Sequence, residues 1–382
     1  MYEFENLPDR RKSASSKWMV PEGVLPMWVA DMDFPAAPQI IRAIRERLDH
    51  GVFGYDEVPD EWYDAYINWW DKRHGLKLNK EGLIFCTGVI PAVSSAVRKL
   101  TTPGEKILIQ TPVYNIFFNS TVNNGCTALQ SPLCFDGEAY SMDFDRLERD
   151  MSDPQVSLMI LCNPQNPGGR IWKKEELAEV GRLAKKYSVI VFSDEIHCDI
   201  VRPGTEYVPF LSVSDECREV GIAAMAPTKA FNIAGLHTAA VYSENKTLRH
   251  KMWRALNTDE VAEPNSFACV AAIAAFNEGA DWLDEMCAYV FENRRIAEEY
   301  IAANIPQIKA VHSDATYLLW LKMPRSGLQG DLKDKTGLYL SDGAVYGAGG
   351  EEFLRMNLGC SRQTLKDGLK RLSEYFNANK KA

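Results

Sequence analysis

The sequence predicts an α/β protein: a mostly parallel sheet in a large domain, joined to a smaller α+β domain. Three observations predict it. The 382 residues exceed one ordinary domain. Short apolar, β-rich runs alternate with amphipathic helical stretches through the middle of the chain. That alternation stops after about Asp281, where a long helical stretch begins.

Taken in order, the strand candidates are 83–87, 106–110, 158–162, 189–193, 222–225 and 238–242. Helix candidates at 91–100, 174–187 and 246–256 lie between them, the first opened by Pro91 at a position where a proline costs no hydrogen bond. Strand–helix–strand order favours right-handed crossovers and a sheet covered on both faces. Beyond residue 281 come a helical stretch to about Ala303, a strand-like run at 315–321 and a final helix from about Arg362. The expected division is an amino-terminal segment, 1–48, completing the small domain, a large domain at 49–284, and the rest of the small domain at 285–382.

Composition narrows the function. Acidic residues outnumber Lys plus Arg by 52 to 43, and no dense basic stretch interrupts them, so a nucleic-acid partner is not expected. The segment MYEFENLPDRRKS lacks the apolar core of a secretory signal, and the longest apolar run, near 269–276, is too short to span a bilayer. The nine cysteines are scattered, form no Cys-x-x-Cys pair, and read as buried thiols of a reducing compartment; the expected location is cytoplasmic.

Ligands of open parallel sheets sit beyond the carboxyl ends of the strands, so reactive residues directly after strand candidates carry most weight. Thr87-Gly88-Val89-Ile90-Pro91 joins a strand to a helix amino terminus, whose free N–H groups suit a phosphate. Taken singly it is an ordinary turn, and neither G-x-G-x-x-G nor a P-loop occurs. Cys162-Asn163-Pro164-Gln165-Asn166-Pro167-Gly168-Gly169 places two Asn-Pro pairs after a buried strand, a stiff turn in which Asn166 presents its amide. Asp194, in Ser193-Asp194-Glu195-Ile196-His197, puts a carboxylate at a strand end where it needs a partner such as a cationic ring nitrogen. Lys229, in Ala226-Pro227-Thr228-Lys229-Ala230-Phe231-Asn232, stands among apolar and small residues, which favour the neutral amine needed for a Schiff base. Most lysines are solvated surface charges and most lone aspartates are caps. The four together match the four handles of pyridoxal 5′-phosphate (PLP): phosphate, ring hydroxyl, ring nitrogen and aldehyde.

These motifs resemble the fold-type I PLP enzymes of aminotransferase class I/II, and within them the cystathionine β-lyase/cystalysin group of C–S lyases. The resemblance covers nearly the whole chain. Asp194 to His197, Ala226 to Asn232, Ala315-Thr316-Tyr317-Leu318 and Phe353-Leu354-Arg355-Met356-Asn357 mark the superfamily. Trp28-Val29-Ala30-Asp31-Met32-Asp33-Phe34 is the more specific mark of the lyase group. Further matches are Lys17-Trp18, Phe53-Gly54-Tyr55, Thr111-Pro112-Val113-Tyr114 and Asn163 to Gly168.

The resemblance implies that Gly88, Val89 and Ile90 offer N–H groups to the phosphate, with the Thr228 hydroxyl beside them. It implies that Tyr114 stacks on the pyridine ring, that Arg355 holds the α-carboxylate of a small amino-acid substrate, and that Tyr55 reaches the phosphate of a partner subunit in a homodimer. By themselves Tyr55, Tyr114 and Arg355 read as core aromatics and a surface arginine. His197 either tunes the surroundings of Asp194 or fills space near it. One departure stands out: aspartate aminotransferases carry a phosphate-binding arginine shortly after the lysine, and residues 230–237 have none. Tyr346 stands where the lyase group often has phenylalanine, an aromatic for an aromatic. The implied reaction is β-elimination from cystathionine or a related cysteine S-conjugate. The rivals are an aminotransferase and a PLP-binding protein that acts through a regulatory partner.

Overall fold

The computed structural model describes residues 2–378; positions 379–382, with which the expected small domain ends, lie outside the described residues. The large sheet has seven strands: β1 (Leu83–Cys86), β2 (Lys106–Ile109), β3 (Thr127–Gln130), β4 (Val156–Cys162), β5 (Ile190–Asp194), β6 (Gly221–Met225) and β7 (Ala239–Tyr242). Their spatial order is β1-β7-β6-β5-β4-β2-β3. All are parallel except β7, which runs antiparallel to both neighbours.

The six strands expected in the large domain are all present, with ends moved by one or two residues, and the run expected at 315–321 is the strand Leu318–Lys322. Two features went unread: β3, and the reversed direction of β7. After α1 (Pro38–Asp49) and α2 (Asp60–His74), the helix expected from residue 91 begins two residues earlier, so α3 is Val89–Leu100 and its Pro91 lies in the first turn. The helix expected at 174–187 is observed as α4, Lys174–Tyr187. It has Glu176 accepting the Lys173 N–H at 2.7 Å, and it buries Leu177, Val180, Leu183 and Ala184 along one stripe.

The strands are apolar on both faces, as a covered parallel sheet requires. Alternate residues sort cleanly. Ile107, Ile109, Leu158, Ile160, Phe192 and Ile222 pack under α3 and the helix Lys246–Thr258. Leu108, Met159, Leu161, Val191, Ala223 and Met225 pack on the other side, with α4 and the helix Ala268–Glu278.

Beyond the helix Ala280–Asn304, a second, antiparallel sheet contains β8 (Lys309–Ala310), β9 (Leu318–Lys322), β10 (Ser341–Asp342) and β11 (Phe353–Asn357), in the order β8-β9-β11-β10. The final helix is Arg362–Ala378. The amino-terminal strand Leu25–Pro26 pairs with Leu338–Tyr339, whereas the helix Pro38–Asp49 packs on Ala268–Glu278. Among the described residues no helix is long and apolar enough to cross a membrane. All nine cysteines are free; eight are buried, and Cys134 departs from the expectation by being exposed.

Candidate active site

Because β1, β2, β4, β5 and β6 run in one direction, their carboxyl ends deliver five loops to one edge of the sheet. Register does the fine placement. Cys162 pairs with Asp194, and Asp194 with Ala224, so the Asn163 turn, the aspartate and the lysine loop emerge side by side. Between them lies a cavity of about 250 Å³, lined by Thr87 to Pro91, Tyr114, Asn166, Asp194, His197, Thr228 and Lys229.

Each wall has a local cause. Helix α3 begins without a side-chain cap or an acidic residue in its first turn, which leaves the Val89 and Ile90 N–H groups and the positive helix end facing the cavity. A Cβ on Gly88 would sit 3.2 Å from the Pro91 ring, so glycine keeps this approach open. Both Asn–Pro bonds, Asn163-Pro164 and Asn166-Pro167, are cis, as is Thr111-Pro112. Gly169 closes the Asn-Pro loop at φ 69°, where a Cβ would lie 1.8 Å from Ser313 Oγ; no other residue fits there.

The charged groups that line the site have few partners within the protein. Asp194 is buried, and its Oδ1 accepts one N–H, from Ile196 at 3.1 Å. Burial raises its pKa to about 6, against the pull of that N–H and of Lys229. Burial brings Lys229 down to about 8; the Arg355 charge pushes the same way, and Asp31 and Asp194 oppose it. Its Nζ donates to the Ala30 carbonyl at 2.5 Å. Burial also drives His197 down to about 3, with Lys229 and Arg355 adding to the effect, so the ring is neutral; its Nδ1 is buried without a partner. Tyr114 is raised by burial, which keeps its hydroxyl protonated.

Arg355 reaches the site from β11. Its guanidinium donates to Asn166 Oδ1 at 3.1 Å and to the Trp28 carbonyl at 2.9 Å, and lies 5.0 Å from the Tyr346 ring centre. It is buried, its Nε has no partner, and among the described residues it makes no ion pair. A buried cation without a counter-charge, beside a cavity, is costly unless an anion arrives. A second cavity of about 400 Å³ continues from Tyr114, Lys229 and Ala30 past Arg355 toward Trp28, Tyr339 and Asp342.

The structure thus brings together Gly88, Val89, Ile90, Tyr114, Asn166, Asp194, Thr228 and Lys229, with Arg355 next door. It does not bring Tyr55 to them: that side chain is fully exposed in this chain and lines a separate surface hollow with Glu260 and Glu263. Three contributors escaped the reading of the sequence: the Ala30 carbonyl, Cys162 and His237. The Trp28 to Phe34 segment was the available signal for the first. Asn232 and Asn357 hold that segment, Asn232 Nδ2 donating to the Met32 carbonyl at 2.9 Å and Asn357 Nδ2 to the Asp31 carbonyl at 2.6 Å.

A parallel sheet whose strand ends gather a lysine, an aspartate, an asparagine and an open helix end defines a class, and sequence comparison names it: residues 23–372 match the family described as aminotransferase class I and II, and the chain belongs to it. Within that family it is 40% identical to cystathionine beta-lyase PatB of Bacillus subtilis (strain 168), over 97% of this chain and 98% of that one. Cystalysin from Treponema denticola, a structure containing pyridoxal 5′-phosphate, superposes with a TM-score of 0.95 at 29% identity, over 99% of each chain. The PLP-bound C-S lyase from Staphylococcus hominis does so with a TM-score of 0.92 at 31% identity, over 98% of each chain.

Proposed function

We propose that this chain is a PLP-dependent carbon–sulfur lyase that eliminates a thiol from cystathionine or a related cysteine S-conjugate, leaving pyruvate and ammonia. The observation that carries the proposal is a buried, unpaired Arg355 opening onto the cavity that holds Lys229, Asp194, Asn166 and the α3 amino terminus. The names of the similar proteins agree with it.

The roles follow from the chemistry of each group. The Val89, Ile90 and Gly88 N–H groups and the Thr228 hydroxyl would hold the cofactor phosphate, Asp194 would meet the ring nitrogen, and Tyr114 would pack over the ring. Asn166 accepts the Arg355 N–H at Oδ1, so its Nδ2 would be the group that donates to the ring hydroxyl. When bound, the protonated pyridine ring supplies a sink for electrons released at the substrate Cα. Lys229 would hold the cofactor at its aldehyde carbon and would take the Cα proton at Nζ; a pKa near 8 brings that amine toward its neutral, basic form. Arg355 fixes the substrate carboxylate with two N–H donors. Tyr114 or Lys229 gives a proton to the departing thiolate, and Tyr114 has one to give because burial raises its pKa.

The active protein in this reading is an isologous homodimer in which each Tyr55 reaches the partner's phosphate site, in keeping with a tyrosine fully exposed in the single chain. We divide the chain at 48/49 and 284/285; the pairing of Leu25 with Leu338 supports joining the amino terminus to the small domain. Scattered free thiols, mostly buried, support a cytoplasmic location. The test is incubation of the PLP-loaded protein with cystathionine and no oxoacid. A lyase releases pyruvate, ammonia and thiol in equal amounts. Product only on adding an oxoacid acceptor would make the protein an aminotransferase, and PLP binding without product would leave a regulatory binder.

A further inference from the structure

The second cavity has a charge pattern that bears on which thiol leaves. Two cations line it, Arg355 and Lys229, and one carboxylate, Asp342. In the lyase reading both cations are engaged, Arg355 by the α-carboxylate and Lys229 by the cofactor and the Cα proton. The part of the substrate beyond sulfur therefore meets the remaining wall: Asp342, Gln329, Ser341 and the rings of Trp28 and Tyr339.

Asp342 is held but not neutralised. Its Oδ1 accepts the Ala344 N–H at 3.2 Å, and among the described residues it makes no ion pair. Trp28 and Tyr339 stack with ring centres 5.0 Å apart at 19°, a broad aromatic surface whose faces carry negative electrostatic potential. Tyr339 already attracts one cation, Lys333 Nζ at 4.5 Å from its ring centre, but Lys333 does not line the cavity. Ser341 Oγ and Tyr346 Oη are 2.9 Å apart and bonded to each other, so they add no charge.

A carboxylate placed on this wall meets a like charge and two ring faces. An ammonium there gains from both. We infer that Asp342, with the Trp28–Tyr339 pair, receives an ammonium group on the leaving half of the substrate, and so selects cysteine S-conjugates whose thiol carries an amine. The homocysteine half of cystathionine carries such a group, next to a carboxylate of its own that has to point away from Asp342. This inference rests on the lyase reading and adds a specificity residue to it.

The experiment compares S-(2-aminoethyl)-L-cysteine with S-(2-carboxyethyl)-L-cysteine, similar in size and opposite in distal charge, on the PLP-loaded protein and on Asp342→Asn. Asparagine keeps the oxygen that caps Ala344. The two thiols differ in intrinsic leaving ability, so the deciding quantity is the change in the ratio of their kcat/KM values. Asp342→Asn is expected to lower the amine-to-carboxylate ratio about tenfold, the scale of one well-placed charge contact. A ratio that stays within about twofold of the wild-type value, or rises, overturns the inference. If neither compound nor cystathionine releases pyruvate, the lyase reading fails; whenever the two compounds are not turned over, the same ratio is read from dissociation constants in absorbance titrations of the bound cofactor, and the same two outcomes decide.

Discussion

One group of charges is built on Asp31 and Asp33 of the Trp28 to Phe34 segment, another lines the cavity and reaches that segment through Arg355 and Lys229, and the two are arranged in opposite ways. In the amino-terminal cluster every charge is matched. Lys17, 1% exposed, pairs with Asp33 at 3.0 Å; Arg10 bridges Asp31 at 2.7 Å and Asp33 at 2.9 Å; and the Trp18 indole N–H donates to Asp33 at 2.8 Å. In the cavity the charges are left open: Arg355 has no carboxylate partner, and Asp194 accepts a single backbone N–H. The first arrangement holds a segment of chain in place. In the proposed reading, the second holds desolvated charge that a ligand completes. Burial alone does not separate structure from function here; the presence or absence of a counter-charge does.

The sharpest way to break this comparison is Asp194→Ala. If Asp194 exists to meet a ring nitrogen, its loss lowers kcat for pyruvate release by about a thousandfold or more with cofactor saturating, because each pKa unit lost at the ring corresponds to about 1.4 kcal/mol. Near-normal turnover would move Asp194 into the structural group. Lys17→Met tests the other side. Stripping one partner from the matched cluster should lower unfolding stability by about 3–5 kcal/mol in denaturant titration, and Lys17→Met/Asp33→Leu should recover part of it. A loss below about 1 kcal/mol would contradict a holding role.

Arg355→Leu should act mainly on substrate binding, raising KM and lowering kcat/KM roughly a hundredfold with PLP retained. Mixed with Tyr55→Phe under subunit exchange, it should regain partial activity if each single variant is severely impaired, since one site of the mixed dimer then carries neither defect. No recovery despite demonstrated exchange would place Tyr55 in its own subunit's site. The smallest effect is in the pH dependence of the cofactor-free protein. Asp194, raised to about 6, holds a proton in the folded state that the unfolded chain has released between about pH 4 and 6. Stability should therefore fall by about 2–3 kcal/mol as pH rises through that window, and Asp194→Asn should remove this part of the slope. An identical slope in the variant would count against the assignment.

What the sequence could and could not reveal follows the same division. Lys229, Asp194 and Asn166 were legible because Asp194 ends a buried apolar strand and the other two stand four residues beyond one, where a polar residue is conspicuous. Arg355 sits inside β11, in the other sheet, and nothing local sets it apart from a surface arginine; only its motif did. The Ala30 carbonyl leaves no mark on residue type, as a backbone acceptor cannot, and only the Trp28 to Phe34 motif around it pointed to that stretch of chain. Strand β3, with the sequence TALQ and no fully buried residue, lacks the apolar run that betrays its neighbours. The direction of β7 was invisible because alternation fixes which face a side chain takes and not which way the strand runs. The Asp60–His74 helix buries three tryptophans, Trp62, Trp69 and Trp70, of which the last two are adjacent, so its inward stripe is too irregular to stand out.

The central claim is that Lys229 is the residue to which PLP is joined, and reduction tests it most directly. Borohydride treatment of the PLP-loaded protein, followed by proteolysis and mass spectrometry, should place the pyridoxyl label on the peptide containing Ala226-Pro227-Thr228-Lys229, and Lys229→Ala should carry no label while keeping its fold by circular dichroism. A label on any other lysine, or undiminished labelling of Lys229→Ala, would contradict the account at its root.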